Sequence, residues 1–191
     1  MAVFIIPGLF KKKDFYEPLG SELTKAGFDT QIVDLGLNTQ SLKDSAKKVL
    51  EHLKKTSGQD DIIAHSFGGI VLKYIIQQCP EIKEQIRSIS FVSVPHGGSW
   101  QAIFISFLPA PRELLPFRKH FKELSKVWLP EATVNFISQE ELKVWPRKSA
   151  LLKDRIDIVI PGTDHDNIIR NENFIKKVIE FIKSGHDRVF I

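Results

Sequence analysis

Short apolar runs rich in β-branched residues alternate along the chain with stretches of helical periodicity. The runs lie at residues 3–6, 30–33, 61–64, 86–94, 133–137 and 156–160. Several of them are continuously apolar, which is typical of strands that are covered on both faces. The strand–helix–strand order therefore predicts a three-layer α/β fold with a mostly parallel, six-stranded sheet.

Two helices are predicted by apolar residues at helical spacing. The first face comprises Leu42, Ala46, Val49, Leu50 and Leu53, which fall at offsets of 0, 4, 7, 8 and 11. Ser41 precedes this face and is suited to cap the helix. The second face comprises Phe174, Val178, Phe181 and Ile182. Because ligands of parallel sheets collect beyond the carboxyl ends of the strands, the residues after each apolar run are the candidates for chemistry.

Residues 99–116 interrupt this alternation. The segment is very apolar, yet Pro109, Pro111 and Pro116 prevent one long regular helix. An apolar excursion after the end of a strand can line or cover an apolar pocket, and it can equally pack on the sheet as a structural element. Both interpretations, a small lid and a packing segment, remain open for it.

The composition is that of a soluble globular protein. The 191 residues are 42% hydrophobic and 26% charged, which excludes a disordered or collagen-like chain and predicts one domain over residues 1–191. The single cysteine, Cys79, excludes an intramolecular disulfide and fits a reducing compartment. The formal charge of +4 is too weak and dispersed to indicate a nucleic-acid partner. No apolar run is long enough for a transmembrane segment or a signal peptide, so we expect a cytoplasmic protein.

The strongest chemical motif is a serine between an apolar strand and an apolar helix. The motif Ala64-His65-Ser66-Phe67-Gly68 has small residues two positions before and after the serine. This arrangement is typical of a nucleophile elbow, whose tight turn lifts the serine Oγ above the sheet. The amide of Phe67 then points into the same space, where the helix N-terminus adds positive partial charge. An ordinary tight turn is the alternative interpretation.

Three local motifs resemble the α/β-hydrolase family, and within it the small lipases and esterases with little or no cap. They are the elbow at residues 64–68, the segment Phe4-Ile5-Ile6-Pro7-Gly8-Leu9 and the segment Ser93-Val94-Pro95-His96-Gly97-Gly98-Ser99. The chain departs from the family at Ala64, where glycine is usual, and at Pro7, where histidine is usual. The resemblance implies an α/β-hydrolase fold with a minimal cap and an acyl-transferring serine, Ser66. It also implies an oxyanion hole formed by the amides of Leu9 and Phe67.

An acyl-transferring serine requires a base, and histidine is the usual one. The six histidines are His52, His65, His96, His120, His165 and His186. The elbow should turn the ring of His65 away from the serine Oγ. His165 is the best candidate because it follows the last apolar run, where a loop can bring an imidazole over the elbow and where the family has its base. His96 also follows a strand and remains the alternative.

The third member of the triad should orient the imidazole and stabilise its cation. The family has this acid after the penultimate strand, where the chain offers only Glu140 and Glu141 and no aspartate. Glu141 is preferred because Val144 lies three positions further on, as in the Asp-x-x-Val arrangement of small lipases. Glu140 is the alternative, and both could instead be first-turn acids that stabilise a helix dipole.

No cofactor is expected. The sequence has no metal-ligand spacing, no G-x-G-x-x-G after the first strand and no P-loop. The hypothesis is therefore a metal-free serine hydrolase of carboxylic esters, with an apolar acyl group bound by residues 100–108 together with Leu9, Phe10 and Phe67. The same triad supports a thioesterase or an acyltransferase, and a non-catalytic scaffold that binds a protein or lipid is the alternative from another class.

Overall fold

Six parallel strands form one sheet in the computed structural model of the protein, which describes residues 1–56 and 58–184. The strands are β1 (Ala2–Ile6), β2 (Asp29–Ile32), β3 (Asp60–His65), β4 (Ile86–Val92), β5 (Thr133–Glu140) and β6 (Ile156–Asp164). Their order across the sheet is β2-β1-β3-β4-β5-β6, and each neighbouring pair runs parallel. The predicted α/β class with a six-stranded, mostly parallel sheet is confirmed.

Helices cover both faces of the sheet. They are α1 (Glu17–Lys25), α2 (Leu42–Leu53), α3 (Phe67–Gln78), α4 (Pro109–Glu113), α5 (Lys119–Leu124) and α6 (Glu172–Lys183). The apolar residues of α2, α3, α4 and α5 belong to one buried cluster, and those of α1 and α6 belong to a second. The core is thus divided into two halves by the sheet, as the continuously apolar strands predicted.

Strand β1 shows how one short run serves both halves of the core. Phe4 and Ile6 belong to the cluster beneath α2 and α3, whereas Val3 and Ile5 belong to the cluster beneath α1 and α6. All four side chains are buried. Successive side chains of a strand point to opposite faces, so a strand covered on both sides must be apolar at every position.

The predicted elements differ from the observed ones mainly at their ends. Strand β4 ends at Val92 rather than at residue 94, while β5 and β6 continue to Glu140 and Asp164, beyond the predicted residues 137 and 160. The predicted cap of α2 is present, because Ser41 Oγ accepts a hydrogen bond from the Asp44 amide at 3.2 Å. Residues 99–116 form a 3₁₀ helix, Trp100–Ile105, followed by the short α4. Within the described residues, no helix is long and apolar enough to span a membrane.

Candidate active site

The turn between β3 and α3 presents Ser66 in a strained backbone conformation. Its φ is +52° and its ψ is −123°, which a non-glycine residue rarely adopts. A Cβ added to Gly68 would lie 2.5 Å from the Ile6 carbonyl oxygen and 2.8 Å from that of Pro7. The small residue at this position is thus required by the backbone that leaves β1.

Ser66, His165 and Glu141 form one hydrogen-bonded chain. His165 Nε2 lies 2.9 Å from Ser66 Oγ, and His165 Nδ1 lies 2.9 Å from both Glu141 carboxylate oxygens. A carboxylate can only accept, so Nδ1 carries the proton and donates to Glu141. Nε2 is then the unprotonated nitrogen and accepts the hydrogen bond that the Ser66 hydroxyl donates. This is the tautomer in which the imidazole can take a proton from the serine.

Glu141 is buried because strand pairing becomes irregular just before it. The register of β5 against β6 shifts between Ser138 and Glu140, after which Glu140 is exposed and Glu141 is buried. Such irregularities re-aim side chains at the ends of strands. The Glu141 carboxylate also accepts hydrogen bonds from the Ser138 hydroxyl and from the amides of Lys143 and Val144.

The charge state of Glu141 follows from these contacts. Burial acts to raise its pKa, but the hydrogen bonds from His165, Ser138 and Val144 and the charge of His165 outweigh burial. Together they lower the pKa of Glu141 from the ordinary 4.5 to about 2. The residue is therefore an anion throughout the neutral range, as the partner of an imidazolium must be.

A second hydrogen-bonded chain connects the loop after β1 to the loop that carries His165. The Gly8 amide donates to Tyr16 Oη at 2.8 Å, Tyr16 Oη lies 2.7 Å from His65 Nδ1, and His65 Nε2 lies 2.9 Å from the carbonyl oxygen of His165. A carbonyl only accepts, so Nε2 of His65 donates and Nδ1 accepts from the tyrosine hydroxyl. Burial, reinforced by the charge of His165, lowers the pKa of His65 from 6.5 to about 3, which keeps the ring neutral. Burial likewise raises the pKa of Tyr16 well above its ordinary value.

A cavity of about 280 Å³ opens above Ser66 and His165. Its wall is largely apolar and includes Leu9, Phe10, Pro95, Ala102, Ile105, Leu114 and Val144. Three of these residues belong to the segment 99–116, whose outer side exposes Trp100, Ile103, Phe104 and Phe107 to solvent. Charged side chains line one edge of the cavity, where Asp166 Oδ2 pairs with Lys11 and Lys143 at 2.7 Å each.

Two backbone amides in the segments that meet at Ser66 have no hydrogen-bond partner within residues 1–56 and 58–184. The amides of Leu9 and Phe67 donate no hydrogen bond to any residue that the structure describes. A Cβ on Gly8 would lie 2.9 Å from Ser66 Cβ, so only glycine lets the loop after β1 approach the serine this closely. Free amides next to a serine hydroxyl are the donors that stabilise a developing oxyanion.

The comparisons with known proteins identify the architecture. No family model and no curated protein matches the chain. A metagenome-derived lipolytic enzyme superimposes with a TM-score of 0.76 at 14% identity, covering 96% of this chain and 93% of that one. The monoacylglycerol lipase of Paleococcus ferrophilus gives a TM-score of 0.69 at 14% identity, with 96% and 94% coverage. Lipase B of Aspergillus fumigatus superimposes with a TM-score of 0.80 at 13% identity, covering 93% of this chain and 51% of that one.

The chain has the α/β-hydrolase fold.

Within the α/β-hydrolase fold, the structure brings together Ser66, His165 and Glu141, the three residues predicted to form the triad. Leu9 lines the cavity, as expected for the loop after the first strand. The side chain of Phe67 is fully buried in the core beneath α3 and is absent from the cavity wall. The expectation that this side chain contributes to the acyl-binding surface is therefore wrong, although the Phe67 amide stays available.

The other residues considered as the acid or the base of the triad lie outside the hydrogen-bonded chain of Ser66, His165 and Glu141. Glu140 is exposed at the end of β5, whereas the ring of His165 contacts Glu141. His96 is buried, with its Nε2 3.4 Å from Asn135 Oδ1, and it lines a different cavity. His52 and His120 lie on α2 and α5 and are partly buried. His186 lies outside the described residues.

Tyr16 is the residue that sequence reasoning missed. It ends a 3₁₀ turn just before α1 and contacts His65 across 49 positions of the chain. Nothing in the local pattern distinguishes it from a core aromatic residue. The available signal was His65, a polar residue on a strand end where burial demands two hydrogen-bond partners.

Proposed function

We propose that the protein is a serine hydrolase that cleaves carboxylic esters, with Ser66 as nucleophile, His165 as base and Glu141 as the acid that orients it. The observation that carries the proposal is the pair of 2.9 Å contacts that join Ser66 Oγ to His165 Nε2 and His165 Nδ1 to Glu141. Nucleophile, base and orienting group within hydrogen-bond reach are the geometric signature of an activated serine. The strained φ of Ser66 adds to it.

In the first half of the reaction, Ser66 Oγ attacks the acyl carbon while its proton passes to His165 Nε2. The negative charge that develops on the carbonyl oxygen is stabilised by the amides of Leu9 and Phe67. The imidazolium lies against the Glu141 carboxylate and returns the proton to the alcohol oxygen as the ester bond breaks. The product of this half is an acyl group on Ser66 Oγ and a free alcohol.

In the second half, water attacks the acyl carbon and gives its proton to His165 Nε2. The same two amides stabilise the second tetrahedral intermediate. The proton then returns to Ser66 Oγ as the carboxylic acid leaves. The hydrogen bond from His65 to the carbonyl of His165 holds the loop that carries the base while the imidazole exchanges protons.

An apolar acyl group is the substrate that the cavity fits best. The wall above Ser66 is made mostly of aliphatic side chains, and the cavity of about 280 Å³ is small. We propose that residues 99–116 act as a small lid over it, since Ala102, Ile105 and Leu114 of this segment already form one side. The structural relatives named as lipases and as a lipolytic enzyme are in keeping with such a substrate.

The test is a panel of p-nitrophenyl esters from acetate to dodecanoate, measured against acyl-thioesters of the same chain lengths, with Ser66→Ala as control. We expect ester hydrolysis to exceed thioester hydrolysis and to be greatest for short to medium aliphatic chains. Ester hydrolysis should be absent in Ser66→Ala. Preference for thioesters would assign the same site to thioesterase chemistry. Equal rates in the wild type and in Ser66→Ala would refute the proposal.

A further inference from the structure

A second cavity, of about 360 Å³, lies on the far side of the loop that follows β4. The two cavities share this loop, because Pro95 lines the one above Ser66 whereas His96 and Gly97 line the second. The second cavity is bordered by five cationic side chains, Lys73, Lys126, Lys148, Lys153 and Arg155. Asp154 is the carboxylate among its lining residues. We call this space the basic cavity.

Lys73 is the unusual member of this group. It lies on the apolar helix α3, the residue is 3% exposed, and its Nζ is 5.5 Å from the centre of the Phe91 ring. In the described part of the chain, no carboxylate pairs with Lys73. Burial lowers the pKa of Lys73 from 10.5 to about 8, so the ammonium is still mostly charged at neutral pH. A buried and unpaired charge destabilises a fold, and an anionic ligand at Lys73 would offset that cost.

His96 provides a complementary group beside Lys73. Asn135 Nδ2 donates to the Ala150 carbonyl, so Asn135 Oδ1 is the acceptor that faces His96 Nε2. Nδ1 of His96 is then an acceptor. Among the described residues this atom has no hydrogen-bond partner, and it has almost no accessible surface, so a ligand reaches it only when the loop after β4 shifts slightly. Burial and the charge of Lys73 both lower the pKa of His96, so the ring is neutral.

The other walls of the basic cavity indicate the kind of ligand. Arg155 is held in place by the carbonyl of Leu129, while Lys126, Lys148 and Lys153 are exposed at the rim. A further part of the lining is apolar and comprises Leu124, Val127, Leu129, Leu151 and Leu152. A ligand that matches these walls has an anionic end for the cations and an organic end for the leucines.

We propose that the basic cavity binds a small organic phosphate monoester, with its phosphate at Lys73 and His96 and its organic part against the leucine-rich wall. A phosphate monoester suits this pair because it supplies charged oxygens to the ammonium and, in its singly protonated form, a hydroxyl to His96 Nδ1. A carboxylate has no such hydroxyl when it is charged. The second ionisation of a phosphate monoester is near pH 6, so both forms are present close to neutrality.

The test is thermal unfolding of the whole protein at pH 6.5 with phenyl phosphate, inorganic phosphate or chloride at matched ionic strength. A ligand that binds only the folded state raises Tm, and at about ten times its Kd the rise is on the order of 5 °C for a chain of this size. We expect a saturable rise with phenyl phosphate, a smaller one with inorganic phosphate and none with chloride. Equal effects of the three anions would overturn the proposal, and so would equal affinity for the two phosphates.

Lys73→Met tests the assignment of the buried ammonium. We expect the variant to be at least as stable as the wild type without ligand, since an apolar side chain replaces an unpaired charge, and to bind phenyl phosphate at least tenfold more weakly. Lys122→Met is the matched control, because Lys122 is exposed on α5 and does not line the cavity. A folded Lys73→Met protein that keeps the full Tm shift would overturn the proposal.

Two further measurements keep the proposal independent of that one variant. If Lys73→Met does not fold, the double variant Lys126→Met/Lys148→Met at the rim should weaken phenyl phosphate binding severalfold, and unchanged binding would overturn the proposal. Ester hydrolysis by Lys73→Met should match the wild type, because Lys73 is absent from the cavity above Ser66. The two proposals thus fail separately.

Discussion

Replacing Glu141 by glutamine tests the geometry of the proposed triad most sharply. Glu141 Oε1 accepts the amides of Lys143 and Val144, so the glutamine oxygen remains at that position and its NH₂ group takes the place of Oε2. The NH₂ group then faces His165 Nδ1 and the Ser138 hydroxyl. The Ser138 hydroxyl can rotate to accept. Nδ1 is 2.9 Å from both positions, so it can keep its proton only by donating to the glutamine oxygen, and it must lose that proton to accept from the NH₂ group.

The consequence is a weaker base, because the neutral amide no longer stabilises the imidazolium and an imidazole that accepts the amide N–H has the wrong tautomer. With Nδ1 unprotonated, the proton of His165 resides on Nε2, which can no longer accept the Ser66 proton. The same exchange in a serine protease triad lowers kcat by about 10⁴-fold. This factor corresponds to about 5 kcal/mol of transition-state stabilisation. We expect a loss of this order in Glu141→Gln, with KM nearly unchanged because no substrate contact is removed.

The assay is steady-state hydrolysis of p-nitrophenyl butyrate at pH 8, with circular dichroism to establish that the variant is folded. Glu140→Gln is the matched control, since it removes the neighbouring carboxylate, which is exposed at the end of β5. It should keep activity within about twofold. A folded Glu141→Gln protein with more than one tenth of wild-type activity would refute the reasoning, as would a larger loss in Glu140→Gln.

Three further predictions follow from the contacts of the site. Tyr16→Phe leaves the Gly8 amide and His65 Nδ1 unpaired, so it should lower the free energy of unfolding by about 1–3 kcal/mol. It should also lower kcat by about tenfold or more. Denaturant titration measures the first effect and steady-state kinetics the second, and unchanged values would contradict the prediction. Gly68→Ala should lower the free energy of unfolding by about 3 kcal/mol, because its Cβ meets the Ile6 carbonyl. A Cβ added to Gly58 would have no heavy atom closer than 3.8 Å, so Gly58→Ala is the control. The pKa of Glu141 is about 2 in the folded protein, compared with an ordinary value of 4.5. Its contribution to the free energy of unfolding is therefore complete above pH 4.5 and is lost as the pH falls towards 2. The free energy of unfolding of Glu141→Gln should lack this part of the dependence on pH.

The central features of the fold were predictable because they depend on local pattern. Continuous apolar runs indicated buried parallel strands, and the offsets of Leu42 to Leu53 matched the observed bounds of α2. Helix α1 was not predicted, since its helical segment has only Leu19, Gly20 and Leu23 buried and its periodicity is weak. Strand ends were misplaced where polar residues continue the pairing, as at Glu140 and Asp164.

The candidate site was predictable to the extent that topology determines it. Ser66 and His165 follow strands, and the carboxyl ends of parallel strands meet at one edge. The choice between Glu140 and Glu141 depends on an irregularity in strand pairing that no local pattern predicts. The roles of Tyr16 and Lys73 could not be predicted for a similar reason, because they derive from contacts with residues distant in the chain.

The central claim is that Ser66 is an activated nucleophile, and active-site labelling tests it most directly. The folded protein is incubated with a fluorophosphonate probe, digested, and analysed by peptide mass spectrometry. The account predicts a single adduct on Ser66 that is absent in Ser66→Ala and forms much more slowly in His165→Ala. An unlabelled folded protein, or an adduct on any other residue, would contradict it.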